Sequence, residues 1–185
     1  LIWHTVFMVM VMAIVYAGVS DGIERWNKIL MPALFLILVM LLIQAMTMDG
    51  FSKAIGFLFT PDFGKLTTEG ILNAIGQAFF TLSLGMGCIL TYGSYLSKSE
   101  SLPRVAVTVA FLDTFIAILA GVIVFSIVFS FGLEPGSGPG LIFSTLPTLF
   151  VQLPGGQFLS IAFFLLVTFA AITSAVSILE VPTAY

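Results

Sequence analysis

The stretch Gln77-Ala-Phe-Phe-Thr-Leu-Ser-Leu-Gly-Met-Gly87 decides the fold of this chain. It lies inside a long hydrophobic segment, where a helix should satisfy its own backbone hydrogen bonds because lipid offers no partner. Small and hydroxyl residues instead occupy alternate positions, namely Thr81, Ser83, Gly85 and Gly87. Such alternation does not follow the 3.6-residue period of a helix. The stretch therefore predicts a helix that is interrupted at the depth of a bilayer.

The composition places the chain in a membrane. Of its 185 residues, 59% are hydrophobic and only 8% are charged, whereas a soluble domain carries about 25% charged residues. The net charge of −3 and the lack of a basic cluster exclude a nucleic-acid partner. The single cysteine, Cys88, excludes a disulfide within this chain and is expected to be a small packing residue. The lipid bilayer is the expected surrounding.

Five segments reach or approach the roughly 20 apolar residues that a membrane-spanning helix needs. We predict an all-α, polytopic transmembrane helix bundle, with spans at about residues 3–19, 29–46, 67–96, 103–131 and 157–185. A lid-like outer loop is predicted at 133–156, because its apolar part is too short to cross. Both chain ends lie in apolar sequence, so we expect residues 1–185 to be an internal piece of a larger polytopic membrane protein.

Two polar connections are predicted between these spans. Residues 20–28 are expected to form a tight polar loop, and residues 47–68 a longer polar stretch. Within the longer stretch, Thr60 is expected to cap a short helix that begins at Pro61, a residue suited to the first helical position. An excess of lysine and arginine marks the cytoplasmic side of a membrane protein. Lys28 and Lys98 lie in two short loops, at residues 20–28 and 97–101, so we predict that these loops face the cytoplasm.

The fifth predicted span carries small and hydroxyl residues on one helical face. Ala170, Thr173, Ser174 and Ser177 follow the spacing i, i+3, i+4 and i+7. Small residues also pack membrane helices together, so this interpretation stays open. Together with the interrupted stretch, however, the face would offer hydroxyl and carbonyl oxygens, which hard cations prefer.

Asp113 lies inside the fourth predicted span, where an aspartate costs at least ~2.5 kcal/mol on insertion scales. We expect its carboxylate to face a cavity or a cation, with a structural hydrogen bond to a neighbouring hydroxyl as the alternative. Phe80, beside the interruption, is a candidate wall or lid over a ligand. Gln77, one helical turn before Thr81, is a candidate supporting donor.

The chain closely resembles the bacterial neurotransmitter:sodium symporters, which are sodium-coupled amino-acid transporters with the leucine-transporter fold. Four segments carry the resemblance, which covers nearly the whole chain: Gln77–Gly87, Thr60-Pro-Asp-Phe63, Gly22-Ile-Glu-Arg25 and Ala170-Ala-Ile-Thr-Ser174. It implies that the five spans are family helices four to eight of an inverted-repeat fold with a broken helix. It also implies a multi-pass protein of the bacterial inner membrane that is not an enzyme.

The resemblance further implies roles for individual residues. The positions that match substrate contacts are Phe80, Thr81, Ser83, Met86, Ser174 and Ile178. The first of two sodium sites would use Thr81 and Asp113, and the second would use Ala170, Thr173 and Ser174. Each site would be completed by sequence missing from this chain, chiefly the family's first helix.

Asp113 departs from the family pattern, which commonly has an asparagine there. In the family a negative charge near the first sodium comes from chloride or from a carboxylate one turn further on, where this chain has Ala117. We infer that Asp113 does both jobs and that transport is chloride-independent. The flexible thioether of Met86 favours a hydrophobic or aromatic amino acid as substrate.

The expected function is therefore sodium-coupled amino-acid symport by alternating access. Each sodium that enters contributes ~2.3 kcal/mol per 100 mV of membrane potential. The alternative is a structural or assembly membrane subunit without transport, whose polar residues only pack helices. An intramembrane hydrolase lacks a second membrane aspartate and a His-Glu-x-x-His pair. No oligomeric state follows from the sequence.

Overall fold

The computed structural model describes residues 1–97, 99–134, 140–153 and 155–184, and its regular elements are all helical. The α-helices are α1 Ile2–Tyr16, α2 Arg25–Met46, α3 Phe51–Phe59, α4 Thr68–Thr81, α5 Cys88–Tyr95, α6 Leu102–Ser130, α7 Leu146–Phe150 and α8 Gly156–Thr183. The predictions for Lys98, for residues 135–139, for Pro154 and for Tyr185 lie outside the described residues.

Three helices in the described part of the chain are long and apolar enough to cross a membrane. They are Gly22–Met46 with 25 residues, which contains α2, Leu102–Ser130 (α6) with 29 and Gly156–Thr183 (α8) with 28. The predicted span at 67–96 is instead divided into α4 and α5, so the prediction of a broken helix is confirmed. The membrane assignment of each individual span stays a prediction.

The expected loop at residues 20–28 is wrong, because this segment is helical. A π-helical turn covers Val19–Glu24, and α2 follows directly from Arg25. Gly22 lies so close to α1 that an added Cβ would overlap the carbonyl oxygen of Ile14. This close approach of two backbones depends on packing between helices, which polarity along the sequence does not reveal.

The role predicted for Thr60 is also wrong. Thr60 is the residue that follows the last residue of α3, so it caps the end of that helix and not the start of another. Both lie in the stretch that was expected to be a polar connection. The extended backbone of Thr60 (φ −101°, ψ 97°) has the conformation that proline imposes on the residue before it. A short 3₁₀ turn follows at Phe63–Lys65, where the Asp62 carboxylate accepts a hydrogen bond from the Gly64 N–H at 3.1 Å.

The chain divides into two compact units. The first consists of Leu1–Ala33, Lys65–Asp113 and Thr168–Tyr185, and the second of Leu34–Gly64 and Thr114–Val167. The core of the first unit is formed by Val11, Ile14, Ile23, Leu30, Ile172 and Val176. The core of the second unit includes Leu38, Leu41, Ile123, Ile127, Val128, Leu146, Phe150 and Phe163.

The segment predicted as a lid contributes α7 to the core of the second unit. Leu146, Leu149 and Phe150 are all buried there, and Pro147 lies in the first turn of α7, where its missing N–H costs least. The function of this segment as a lid stays a prediction.

Candidate functional site

The first unit contains the break between α4 and α5, and two hydrogen bonds define how α4 ends. The Leu84 N–H donates to the Phe79 carbonyl at 2.9 Å, and the Ser83 N–H donates to the Phe80 carbonyl at 3.0 Å. This is the pair of bonds of a Schellman motif, which needs a left-handed residue just after the helix. Ser83 occupies that position with φ +54°. The helix therefore stops at a definite point and does not simply fray.

The left-handed conformation then recurs at alternate positions. Gly85 has φ +81° and Gly87 has φ +84°, and Gly87 precedes the first residue of α5. Glycine reaches this conformation without steric cost, which explains two of the small residues in the alternating pattern. In the described part of the chain, no backbone N–H donates to the carbonyls of Thr81 and Leu82. The break thus leaves carbonyl oxygens available to a ligand.

A side-chain hydrogen bond connects the break to α6. The Thr81 hydroxyl donates to Asp113 Oδ1 at 3.0 Å. Thr81 is the last residue of α4, and Asp113 lies within the apolar α6. A hydroxyl and a carboxylate are therefore presented together. These hard oxygen donors suit a hard cation such as sodium.

A second group of oxygens lies on α8. The Thr173 hydroxyl donates to the Ala170 carbonyl at 2.9 Å, so two of the oxygens predicted for the second sodium site adjoin each other. Ser174 is exposed next to them. Among the described residues, no hydrogen bond joins this group to Thr81 or Asp113. The two oxygen groups are therefore not joined by a hydrogen bond, and their assignment to two sodium sites stays a prediction.

The remaining predicted site residues lie in the same unit and are largely uncovered. Phe80 is 68% exposed, Ile178 55% and Met86 39%. Gln77 is also exposed and lies one helical turn before Thr81 in α4. These side chains surround the break without a hydrogen bond to the oxygen groups, and their roles stay predictions.

Ser177 belongs to a contact between α5 and α8 that the sequence did not reveal. The Tyr92 hydroxyl donates to Ser177 Oγ at 3.0 Å, and Ser177 donates to the Thr173 carbonyl at 3.0 Å. The Cys88 thiol lies 3.5 Å from the Ser177 carbonyl. For this one member of the hydroxyl face, packing between helices is therefore what the structure shows.

Glu180 completes the same contact. It lies near the end of α8 and is only 6% exposed. The Tyr95 hydroxyl donates to Glu180 Oε1 at 2.6 Å, and the Thr183 hydroxyl lies 3.4 Å from Oε2. The three-residue spacing of Tyr92 and Tyr95 was the available signal, since it puts both rings on one face of α5.

The candidate groups consist of oxygen donors. In the described part of the chain, no cluster of three or more histidine, cysteine, aspartate or glutamate side chains is placed to hold a metal. The candidate groups instead combine neutral hydroxyls and carbonyls with the single carboxylate of Asp113. Oxygen ligands of this kind, with little net charge, fit sodium.

Comparisons with known proteins identify relatives of this chain. The model of the sodium:neurotransmitter symporter family matches residues 1–184. The chain is 44% identical over 176 residues to the uncharacterized sodium-dependent transporter YhdH of Bacillus subtilis (strain 168), and the match covers 95% of this chain and 39% of the relative. It is 43% identical over 182 residues to an uncharacterized sodium-dependent transporter of Haemophilus influenzae (strain Rd), with 98% and 40% covered.

A solved structure shows the same fold. The crystal structure of MhsT in complex with L-phenylalanine matches with a TM-score of 0.87 and 52% sequence identity. It covers 100% of this chain and 42% of the MhsT chain. The chain spans about two fifths of the length of the curated relatives it matches. Because the family model matches nearly the whole chain, the chain belongs to the sodium:neurotransmitter symporter family.

Proposed function

We propose that the protein containing this chain is a sodium-coupled, chloride-independent symporter for hydrophobic amino acids in the bacterial inner membrane. The observation that carries the proposal is the Thr81–Asp113 hydrogen bond at the break of a membrane helix. Broken helices at membrane depth are where secondary transporters bind substrates and coupling ions. The curated relatives are named as sodium-dependent transporters, which supports the same class.

Sodium would be held by the two oxygen groups. Thr81 and Asp113 would provide the first site, and Ala170, Thr173 and Ser174 the second. Each site would be completed by residues outside this chain. Bound sodium would supply a positive charge beside the carboxylate and couple binding to the membrane potential, at ~2.3 kcal/mol per 100 mV.

The substrate would lie against the break. Oxygens of Phe80, Thr81 and Ser83 would accept hydrogen bonds from its ammonium group. Among the described residues the Thr81 carbonyl accepts no backbone N–H, whereas the Phe80 carbonyl accepts the Ser83 N–H and would use its second lone pair. The exposed side chains of Phe80, Met86 and Ile178 would line the pocket for an apolar side chain. The MhsT structure holds L-phenylalanine, which is a hydrophobic amino acid, and the thioether of Met86 would adapt to several such side chains.

Binding by the full-length protein in sodium or in potassium tests the proposal. Labelled leucine and tryptophan should bind in sodium and not in equimolar potassium. Unlabelled phenylalanine should compete, whereas glutamate and lysine should not. A structural or assembly subunit would show neither binding nor stabilisation by sodium, and that result would overturn the proposal. Competition by charged amino acids alone would contradict only the substrate class.

A further inference from the structure

The second unit contains an open cleft at the ends of α3 and α6. Its volume is about 790 Å³, and its lining includes Lys53, Phe57, Phe129 and Glu134. This volume falls within the range of about 300–1,000 Å³ that is typical of small-molecule sites. All of these residues belong to the second unit, whereas both oxygen groups described above belong to the first. The cleft therefore needs an explanation of its own.

Lys53 provides the positive charge of the cleft. Its ammonium lies 4.8 Å from the centroid of the Phe129 ring, and Lys53 and Phe57 follow helical spacing on one face of α3. Lys53 forms no salt bridge with a described carboxylate, whereas Lys28 pairs with Glu24. The ammonium is thus held on an aromatic face with its donors directed toward no carboxylate of the described chain.

Glu134 provides the negative charge, and the end of α6 places it there. The Leu133 N–H donates to the Val128 carbonyl at 3.2 Å, and the Gly132 N–H donates to the Phe129 carbonyl at 3.1 Å. With Gly132 at φ +68°, this is a Schellman motif that turns the chain back over the last turn of α6. Glu134 consequently lines the same cleft as Lys53, but without a salt bridge to it.

The floor of the cleft is aromatic and lies where apolar spans end. Phe57 packs edge to face against Phe125 and Phe129, with ring centroids 5.0 and 5.6 Å apart, and it remains 54% exposed. α6 is long and apolar enough to cross a membrane and ends at Ser130. A lysine side chain near such an end extends its ammonium to the boundary between hydrocarbon and headgroups.

We propose that this cleft binds the headgroup of an ethanolamine phospholipid. Lys53 donates to the phosphate, Glu134 accepts from the primary ammonium, and Phe57 contacts the start of the acyl chains. The argument is charge complementarity. Lys53 and Glu134 form no salt bridge with each other, and an ethanolamine headgroup offers a negative phosphate to the first and a positive ammonium to the second. A choline headgroup lacks N–H donors for Glu134, and a glycerol headgroup offers it no positive charge. The proposal is independent of the transported substrate.

Native mass spectrometry of the full-length protein tests this binding. The protein is released from vesicles of equal phosphatidylethanolamine, phosphatidylcholine and phosphatidylglycerol, and the lipids that remain bound are counted. One phosphatidylethanolamine should be retained per protein. Lys53→Gln and Glu134→Gln should each lower its retention about tenfold, because each loses a charge-assisted hydrogen bond. Glu134→Gln should also abolish the preference over phosphatidylcholine.

The matched controls are Lys28→Gln and Glu24→Gln, which break an exposed ion pair outside the cleft. They should leave lipid retention unchanged, and thermal unfolding should confirm that all four variants are folded. Equal retention of phosphatidylethanolamine by wild type and Lys53→Gln would overturn the proposal. So would preferential retention of phosphatidylglycerol that persists in Glu134→Gln, since this would indicate an anionic lipid held by Lys53 alone.

Discussion

Asp113 shows how far a single residue can be interpreted from its position. A hydrogen bond to a charged group contributes about 1.5–3 kcal/mol, and an aspartate at a helix centre costs ~2.5–3.5 kcal/mol on insertion scales. The Thr81 hydroxyl at 3.0 Å therefore offsets much of that cost by itself. This balance of free energies is the same whether Asp113 is a structural residue or a sodium ligand. The two roles differ in how amino-acid binding depends on sodium and chloride.

Asp113→Asn removes the charge and keeps an oxygen that accepts from Thr81. In chloride-free buffer we expect the sodium concentration needed for amino-acid binding to rise at least about tenfold, because a charge-assisted contact is lost. Added chloride should restore part of the affinity by replacing the missing charge. Titration of sodium against labelled amino acid, with and without chloride, measures both effects.

Asp49→Asn is the matched control, because Asp49 is exposed outside the candidate site. It should leave sodium dependence unchanged. Unaltered sodium-dependent binding by Asp113→Asn without chloride would show that the carboxylate is structural and that chloride independence has another source.

At the scale of helices, the contact between α5 and α8 depends on two tyrosine hydroxyls and one close approach. An added Cβ at Gly87 would lie 2.9 Å from Val181 Cγ1, so the start of α5 lies directly against α8. The hydrogen bonds of Tyr92 and Tyr95 continue the contact along α5. The part of α5 that follows the break is thus fixed to α8, which carries the second oxygen group.

Gly87→Ala should destabilise the full-length protein by about 2 kcal/mol or more. The left-handed φ of +84° costs an L-residue about 1–2 kcal/mol, and overpacking against Val181 adds to it. Gly93→Ala is the control, since it lies within α5 with nothing near its Cβ; it should be neutral or stabilise by up to about 1 kcal/mol. Thermal unfolding in micelles compares them, and equal melting temperatures would contradict the packing described.

Tyr92→Phe should cost about 1 kcal/mol, the usual contribution of a hydrogen bond. Ser177→Ala should cost a similar amount, and the double variant less than the sum because both changes remove the same bond. Tyr16→Phe is the control at a tyrosine that is 95% exposed. Strict additivity of the two changes would show that the bond between Tyr92 and Ser177 does not contribute to stability.

At the scale of the whole molecule, we propose that the two oxygen groups are parts of larger sites. The chain spans about two fifths of its curated relatives, and the proposed sites need oxygens from sequence beyond it. We therefore expect the 185-residue chain alone to show no sodium-dependent amino-acid uptake in vesicles, whereas the full-length protein takes up substrate. Uptake by the chain alone would show that its own residues complete the sites.

The sequence by itself determined the features that depend on local chemistry. Low charge and long apolar segments required a membrane, and the alternation from Thr81 to Gly87 located the break. The alternating pattern was informative because residues 83, 85 and 87 all adopt left-handed backbone, which glycine tolerates best. Asp113 was conspicuous because a carboxylate is costly in an apolar helix.

Only the tertiary structure decided which of these residues meet. Thr81 and Asp113 are 32 positions apart, and Tyr92 and Ser177 are 85 apart, so no periodicity along the chain links them. Packing between backbones at Gly22 keeps residues 20–28 helical where polarity favoured a loop. Glu180 is buried for the same kind of reason, since the Tyr95 hydroxyl that satisfies it comes from another helix.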